Sequence, residues 1–253
     1  MSRYKERKAA LRVLNEIENN PSNYYLIHYA CDDFNKSDII SNISIMNFGN
    51  QNIVSFSIRT IADELRVPEV NIHSRIAKIQ KELLTQFNDF IKSHPDAKWI
   101  HWNMNNDIFG FGALHRISKT MNVNDPVSVT ANQTINLSHL LSRVYGPSFC
   151  ADPRMESLAR LNKLDLTYEY KNYSDEINLL HQSKYREITR STNRKLTIFR
   201  IFLERAINRK LVVNSSWRDI YGVSFQGCYD AVKDKWWFAA LTFIAGIIIG
   251  HFF

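Results

Sequence analysis

The last eighteen residues, Trp236 to Phe253, contain no Asp, Glu, Lys or Arg and consist mostly of Phe, Ile, Leu, Ala and Trp. As a helix they would reach roughly 27 Å, close to the hydrocarbon thickness of a bilayer. A run this apolar must be hidden from water, either as a buried core helix or as a membrane span. Trp236 and Trp237 stand at one edge of it, as in an interfacial aromatic belt, and favour the span. The expectation is a single C-terminal anchor over 236–253, inserted after synthesis. Lys233 and Lys235 precede it, and only His251 and the carboxyl terminus mark its far end. The positive-inside rule then keeps the body of the chain in the cytoplasm. Gly246 and Gly250 form a Gly-x3-Gly pair, a face on which two copies could pack as a homodimer.

The remainder is long enough for one large domain or two small ones. Hydrophobic residues make up 45% and aromatic residues 12% of the chain, which excludes a disordered protein. Cys31, Cys150 and Cys228 have no metal-ligand spacing and cannot all pair, which fits a reduced compartment. Met1 to Lys8 lack the apolar stretch expected of a signal peptide. The net charge of +7 is concentrated: residues 183–210 carry nine basic side chains against Glu187 and Glu204. Arg186, Arg190 and Arg194 recur every four residues and form one stripe on a helix. Arg3, Lys5, Arg7, Lys8 and Arg12 make a second cluster. Three readings of the stripe are open: pairing with acidic side chains of the body, the commonest use of such charges, contact with nucleic-acid phosphates, and contact with anionic lipid heads.

The pattern of elements implies an α/β fold. A helix over Arg3–Ile17 ends at Asn19-Asn20-Pro21. Three strands follow at Tyr24–Ala30, Ile43–Phe48 and Ile53–Ile58, the last two joined through Gly49-Asn50-Gln51-Asn52. Ile72, Ile76, Ile79, Leu83, Phe87 and Phe90 then mark an amphipathic helix. A strand at Lys98–Asn103, a helix near Gly112–Lys119, a strand at Val127–Thr130 and a helix at Leu137–Tyr145 complete the first half. The second half reads as helical, with a long basic helix from about Ser183 to Lys210. The expected units are an N-terminal helix (1–22), an α/β core (23–150), a helical extension (151–232) and the anchor (236–253).

This order is that of the ribonuclease H-like fold, a mixed sheet with helices on its faces. The stretch from Trp99 to Arg116, Trp-Ile-His-Trp-Asn-Met-Asn-Asn-Asp-Ile-Phe-Gly-Phe-Gly-Ala-Leu-His-Arg, resembles the second motif of the DEDD family of 3′–5′ exonucleases. Asn103 and Asp107 keep the family's four-residue offset, with His101 displaced by one position. Leu137–Gly146 and Leu158–Asn162 are similar to the two helices that follow. The resemblance implies a nuclease holding two Mg²⁺ or Mn²⁺ ions between four carboxylates, because a phosphoryl transition state needs both its entering and leaving oxygens neutralised. It nominates His101, Asn103 and Asp107 for catalysis, and Asp32, Asp33, Asp107, Asp175 and Glu176 as metal ligands. The first strand departs from the family's Asp-x-Glu: His28 and Ala30 lie mid-strand, and Asp32-Asp33 come only at its end. Both a working and a degenerate site fit this pattern.

Other motifs are weaker. His101, Asp107 and His115 could form a metal set, although hydrogen bonding of the strand–helix turn by His101 and Asn103 is the commoner use of such residues. Thr60–Ile79 has the outline of a helix–turn–helix, with Asn71, His73, Arg75 and Lys78 on the reading helix. No Gly-rich phosphate loop, Gly-x-Ser-x-Gly or His-Glu-x-x-His occurs. Three function classes follow. The leading one is a membrane-anchored nucleic-acid-acting protein, whose suitable setting would be bacterial defence or stress. The others are a non-catalytic membrane-tethered module binding nucleic acid or protein, and a tethered helix–turn–helix regulator.

Overall fold

The computed structural model describes residues 2–32, 38–104 and 109–223, together with 227, 229, 232, 240, 242–244 and 247. Its centre is a five-stranded sheet of β1 (Tyr24–Cys31), β2 (Ile40–Asn47), β3 (Ile53–Ser57), β4 (Lys98–His101) and β5 (Thr134–Asn136). The order across the sheet is β3-β2-β1-β4-β5. β2 pairs antiparallel with both β1 and β3, whereas β1, β4 and β5 run parallel. Helices α1 (Arg3–Asn19), α2 (Ile58–Glu64), α3 (Ile76–Lys92), α4 (Phe111–Thr120), α5 (Leu137–Tyr145), α6 (Arg154–Leu161), α7 (Tyr173–His181), α8 (Tyr185–Ile207) and α9 (Trp217–Tyr221) surround it. The chain is thus α/β, with a mixed sheet between helical layers.

Alternation along the strands divides the core in two. Ile27 and Tyr29 of β1 and Trp99 of β4 join the inward faces of α3 and α4 in one cluster. Leu26 of β1 and Ile100 of β4 point the other way, to Leu14 and Ile17 of α1, Leu140 and Leu141 of α5, and Phe199 and Phe202 of α8. The second half of the chain is therefore part of the sheet's own core: Leu196, Phe199 and Phe202 are fully buried against it. At the far end of the chain, α9 docks on α1 and α5. Arg3 Nη1 donates to the Arg143 carbonyl and Arg3 Nε to the Asp219 carbonyl. Gly146, at φ +97°, lets Asp219 approach so closely that a Cβ there would lie 2.7 Å from its carbonyl oxygen.

Two sequence expectations are corrected. Val127–Thr130 forms no strand, because the Val127 N–H donates to Asn88 Oδ1 and its carbonyl bonds His115 Nδ1. The strand forms at Thr134–Asn136, after a turn closed by reciprocal Thr130 and Gln133 bonds. The helix–turn–helix is also absent. Pro68 lies in extended backbone after α2, and two separate 3₁₀ turns, Glu69–Asn71 and His73–Arg75, precede α3. Asn71 and His73 therefore share no helix with Lys78. Among the described residues no helix is long and apolar enough to cross a membrane. Most of 236–253, Gly246 and Gly250 included, lies outside them.

Candidate functional site

A cavity of about 210 Å³ opens at the end of β1, between α6, α7 and α8. β1 brings His28 and Ala30 to it, α7 brings Glu176, α8 brings Lys195, and Tyr170 on the connection before α7 closes one side. Lys195 is held at 2.7 Å from Glu176 Oε2, and both side chains are almost fully enclosed. Ser191, one turn before Lys195, donates to Glu176 Oε1 at 2.6 Å. Each carboxylate oxygen thereby has a partner. The Lys195 ammonium also lies 5.7 Å from the Tyr170 ring centroid, and the Tyr170 hydroxyl donates to Glu156. Burial is the main reason that the Tyr170 phenol titrates far above its ordinary range, with the Glu156 bond adding to it, so Tyr170 stays a neutral donor.

His28 completes the wall. Burial first, and then the Lys195 charge, hold its pKa well below the ordinary imidazole value, so the ring is neutral. Among the described residues its Nδ1 is buried without a hydrogen-bond partner, and its ring meets Phe199 edge-on at 5.7 Å.

Of the residues nominated as metal ligands, Asp32, Asp175 and Glu176 lie among the described residues. A divalent pair needs convergent carboxylates with free oxygens. Here the two mid-strand positions of β1 are His28 and Ala30, and Glu176 is engaged by an ammonium and a hydroxyl. Asp175 is exposed in the first turn of α7, where Asn172 Oδ1 caps its N–H. Asp32, just past β1, has its carboxylate 3.3 Å from His181 Nε2. Among the described residues no group of three His, Cys, Asp or Glu is placed to hold a metal ion. Asp33 and Asp107 lie outside the described residues.

His101 and Asn103 serve the turn after β4. The Met104 N–H donates to His101 Nδ1 at 2.9 Å, and Asn103 takes φ +63°. His101 is 1% exposed, and burial lowers its pKa to about 4. Of the arginine stripe, Arg194 donates to the Asp165 carbonyl and Arg190 Nε stands 4.0 Å from Glu169, so both hold the connection between α6 and α7 onto α8. Arg186 lines a shallow groove with Arg59 and Lys184.

Sequence reasoning counted Lys195 as one more charge of the basic run. Its signal was positional: Ile188, Thr192, Lys195, Phe199 and Phe202 recur at three- and four-residue spacing, which puts this lysine on the apolar face of α8. No family model, no curated protein and no solved structure matches this chain.

Proposed function

We propose that this chain is a membrane-tethered module of ribonuclease H-like architecture that binds single-stranded nucleic acid without two-metal cleavage at the β1 cavity. The fold part of this reading is supported by the sheet. A three-strand meander continued beyond β1 by two parallel strands is what the ribonuclease H-like order of elements produces as one sheet. The non-catalytic part rests on one observation: the Glu176–Lys195 pair, which puts an ammonium where the fold's nucleases gather cations. Strand binding is supported by the rim. Tyr168 and Tyr173 are 67% and 53% exposed on either side of Lys171, next to the cavity wall at Tyr170. Exposed rings beside a cation are a stacking platform that every base can use. The tether is supported by the described apolar residues of the C-terminal run. Phe243, Ile244 and Ile247 are 71%, 52% and 58% exposed, in contrast to a buried core helix.

Full-length protein in detergent micelles, titrated with a fluorescent single-stranded oligonucleotide in Mg²⁺ or Mn²⁺, tests the binding claim. Salt-sensitive binding is expected, with the oligonucleotide recovered at full length. Tyr173→Ala should weaken it by about tenfold, within the roughly 1–3 kcal/mol that one stacked base contributes. Shortening of the strand that Asp107→Asn abolishes would instead establish the nuclease reading. The tether has its own test. Cell membranes should retain the protein through a high-salt wash and release it to detergent, and recovery in the soluble fraction would refute the anchor.

A further inference from the structure

Three of the four residues nominated for a reading helix meet in a different structure. Asn71, Arg75 and Lys78 line an open groove of about 280 Å³ on the connection from α2 to α3, beside Arg66 and Pro68. Arg66, Arg75 and Lys78 are exposed, and among the described residues their side chains enter no ion pair and no hydrogen bond. The acids of the same connection are engaged elsewhere. Arg59 holds both Asp63 and Glu69 at 3.0 Å, and Glu64 accepts from Gln86. Glu69 stands at the other end of the single 3₁₀ turn that carries Asn71, and lines an adjoining groove of about 310 Å³. Arg59, Lys184, Arg186 and Glu187 line it too, the last three exposed. Among the described residues, the two grooves together carry six cations against Glu69 and Glu187.

The grooves lie at the same edge of the sheet as the cavity. β1 and β3 both run antiparallel to β2, so their carboxyl ends share one edge. β3 passes there directly into α2. Just past β1, Asp32 meets His181, the last residue of α7, and the turn into α8 then supplies Lys184. Tyr173 of the cavity rim begins the same nine-residue helix, so rim and groove stand about 12 Å apart along it. We propose that these grooves carry the sugar–phosphate backbone of the same single strand whose bases stack on Tyr168 and Tyr173, a contact that rests on the strand-binding reading of the rim. Among the described residues no aromatic ring lines the α2–α3 groove, so it offers a base nothing to stack on. Its cations instead take the place of the counterions that phosphates hold, which adds affinity without reading sequence. A bilayer surface is flat and meets protruding tips, whereas a flexible chain follows a concave path.

The full chain in dodecyl maltoside micelles is titrated with fluorescent oligothymidylate of about 12 nucleotides, across a series of salt concentrations. Arg66→Gln/Arg75→Gln/Lys78→Gln should weaken binding by at least about tenfold at about 0.1 M salt. It should also flatten the slope of log affinity against log salt by about 2, since each single-strand phosphate contact contributes about 0.7. Lys184→Gln/Arg186→Gln should flatten it by about 1.4. The matched control Lys5→Gln/Arg12→Gln/Lys119→Gln removes the same charge as the first variant from exposed positions that line neither groove. It should leave the slope within about 0.5 of wild type. Urea midpoints should be those of the wild type throughout. An equal effect of control and groove variants overturns the proposal, because net charge alone would then account for it. If Tyr173→Ala weakens binding while neither groove variant does, the groove contact alone is overturned and its cations are left to the anionic bilayer surface. If the wild type retains no oligonucleotide, the groove contact and the strand-binding reading fall together.

Discussion

Lys195→Met should be among the most destabilising single substitutions in the body, lowering unfolding free energy by about 3–5 kcal/mol. The cost comes from what stays behind. Glu176 is 4% exposed and, among the described partners, would keep the Ser191 hydroxyl, leaving a buried carboxylate without its counter-charge. Removing both charges with Lys195→Met/Glu176→Leu should restore much of the loss, since a buried ion pair repays little more than the desolvation of its members. Urea denaturation of the wild type, both single variants and the double variant gives the coupling energy directly. A Lys195→Met stability within about 0.5 kcal/mol of wild type would show the pair to be hydrated, and would remove the observation on which the non-catalytic reading rests.

Acid should weaken the fold from a pH well above the carboxylate range. His101 titrates near 4 in the folded chain, against an ordinary imidazole value near 6.5. The unfolded chain therefore takes up its proton first as pH falls. Stability is intact above the unfolded value, declines between about 6.5 and 4, and levels once the folded form also protonates. At about 1.4 kcal/mol per unit the full loss approaches roughly 3 kcal/mol. The cause is burial of the ring, whose neutral Nδ1 accepts the Met104 N–H in the turn after β4. His28, depressed by burial and by Lys195, acts in the same direction. His101→Asn, whose side-chain oxygen can accept the same bond, should flatten this part of the profile of urea midpoint against pH. An unchanged slope would assign the acid sensitivity to other groups.

The sheet and its helices were legible because their signals are local. Strand-like runs bounded by turn residues announced β1 to β3, and the spacing of apolar residues located α3 within a few positions of its true start at Ile76. The helix at Leu137–Tyr145 was placed to the residue, since Asn136 caps it and Gly146 ends it. The misplacement at Val127–Thr130 has a non-local cause: Asn88 and His115, on two different helices, take the backbone groups that a strand would have used. The cavity was hidden for the same reason. Glu176 is an unremarkable acidic residue near a helix start until α8 is laid across it with Lys195 on the inward face. Charge counting recorded that lysine as a surface cation, whereas apolar periodicity places it in the interior.

The clasp between the two ends of the body bears on how it is made. Arg3 reaches residues 140 and 216 positions further along the chain, Arg143 and Asp219. During vectorial synthesis the first helix leaves the ribosome long before either partner exists. Its apolar side, Ala10, Leu14 and Ile17, must wait for α5 and α8 before it can be covered. The nascent body thus stays open along one flank until translation has passed Asp219, and completion of the globule coincides with emergence of the segment that follows.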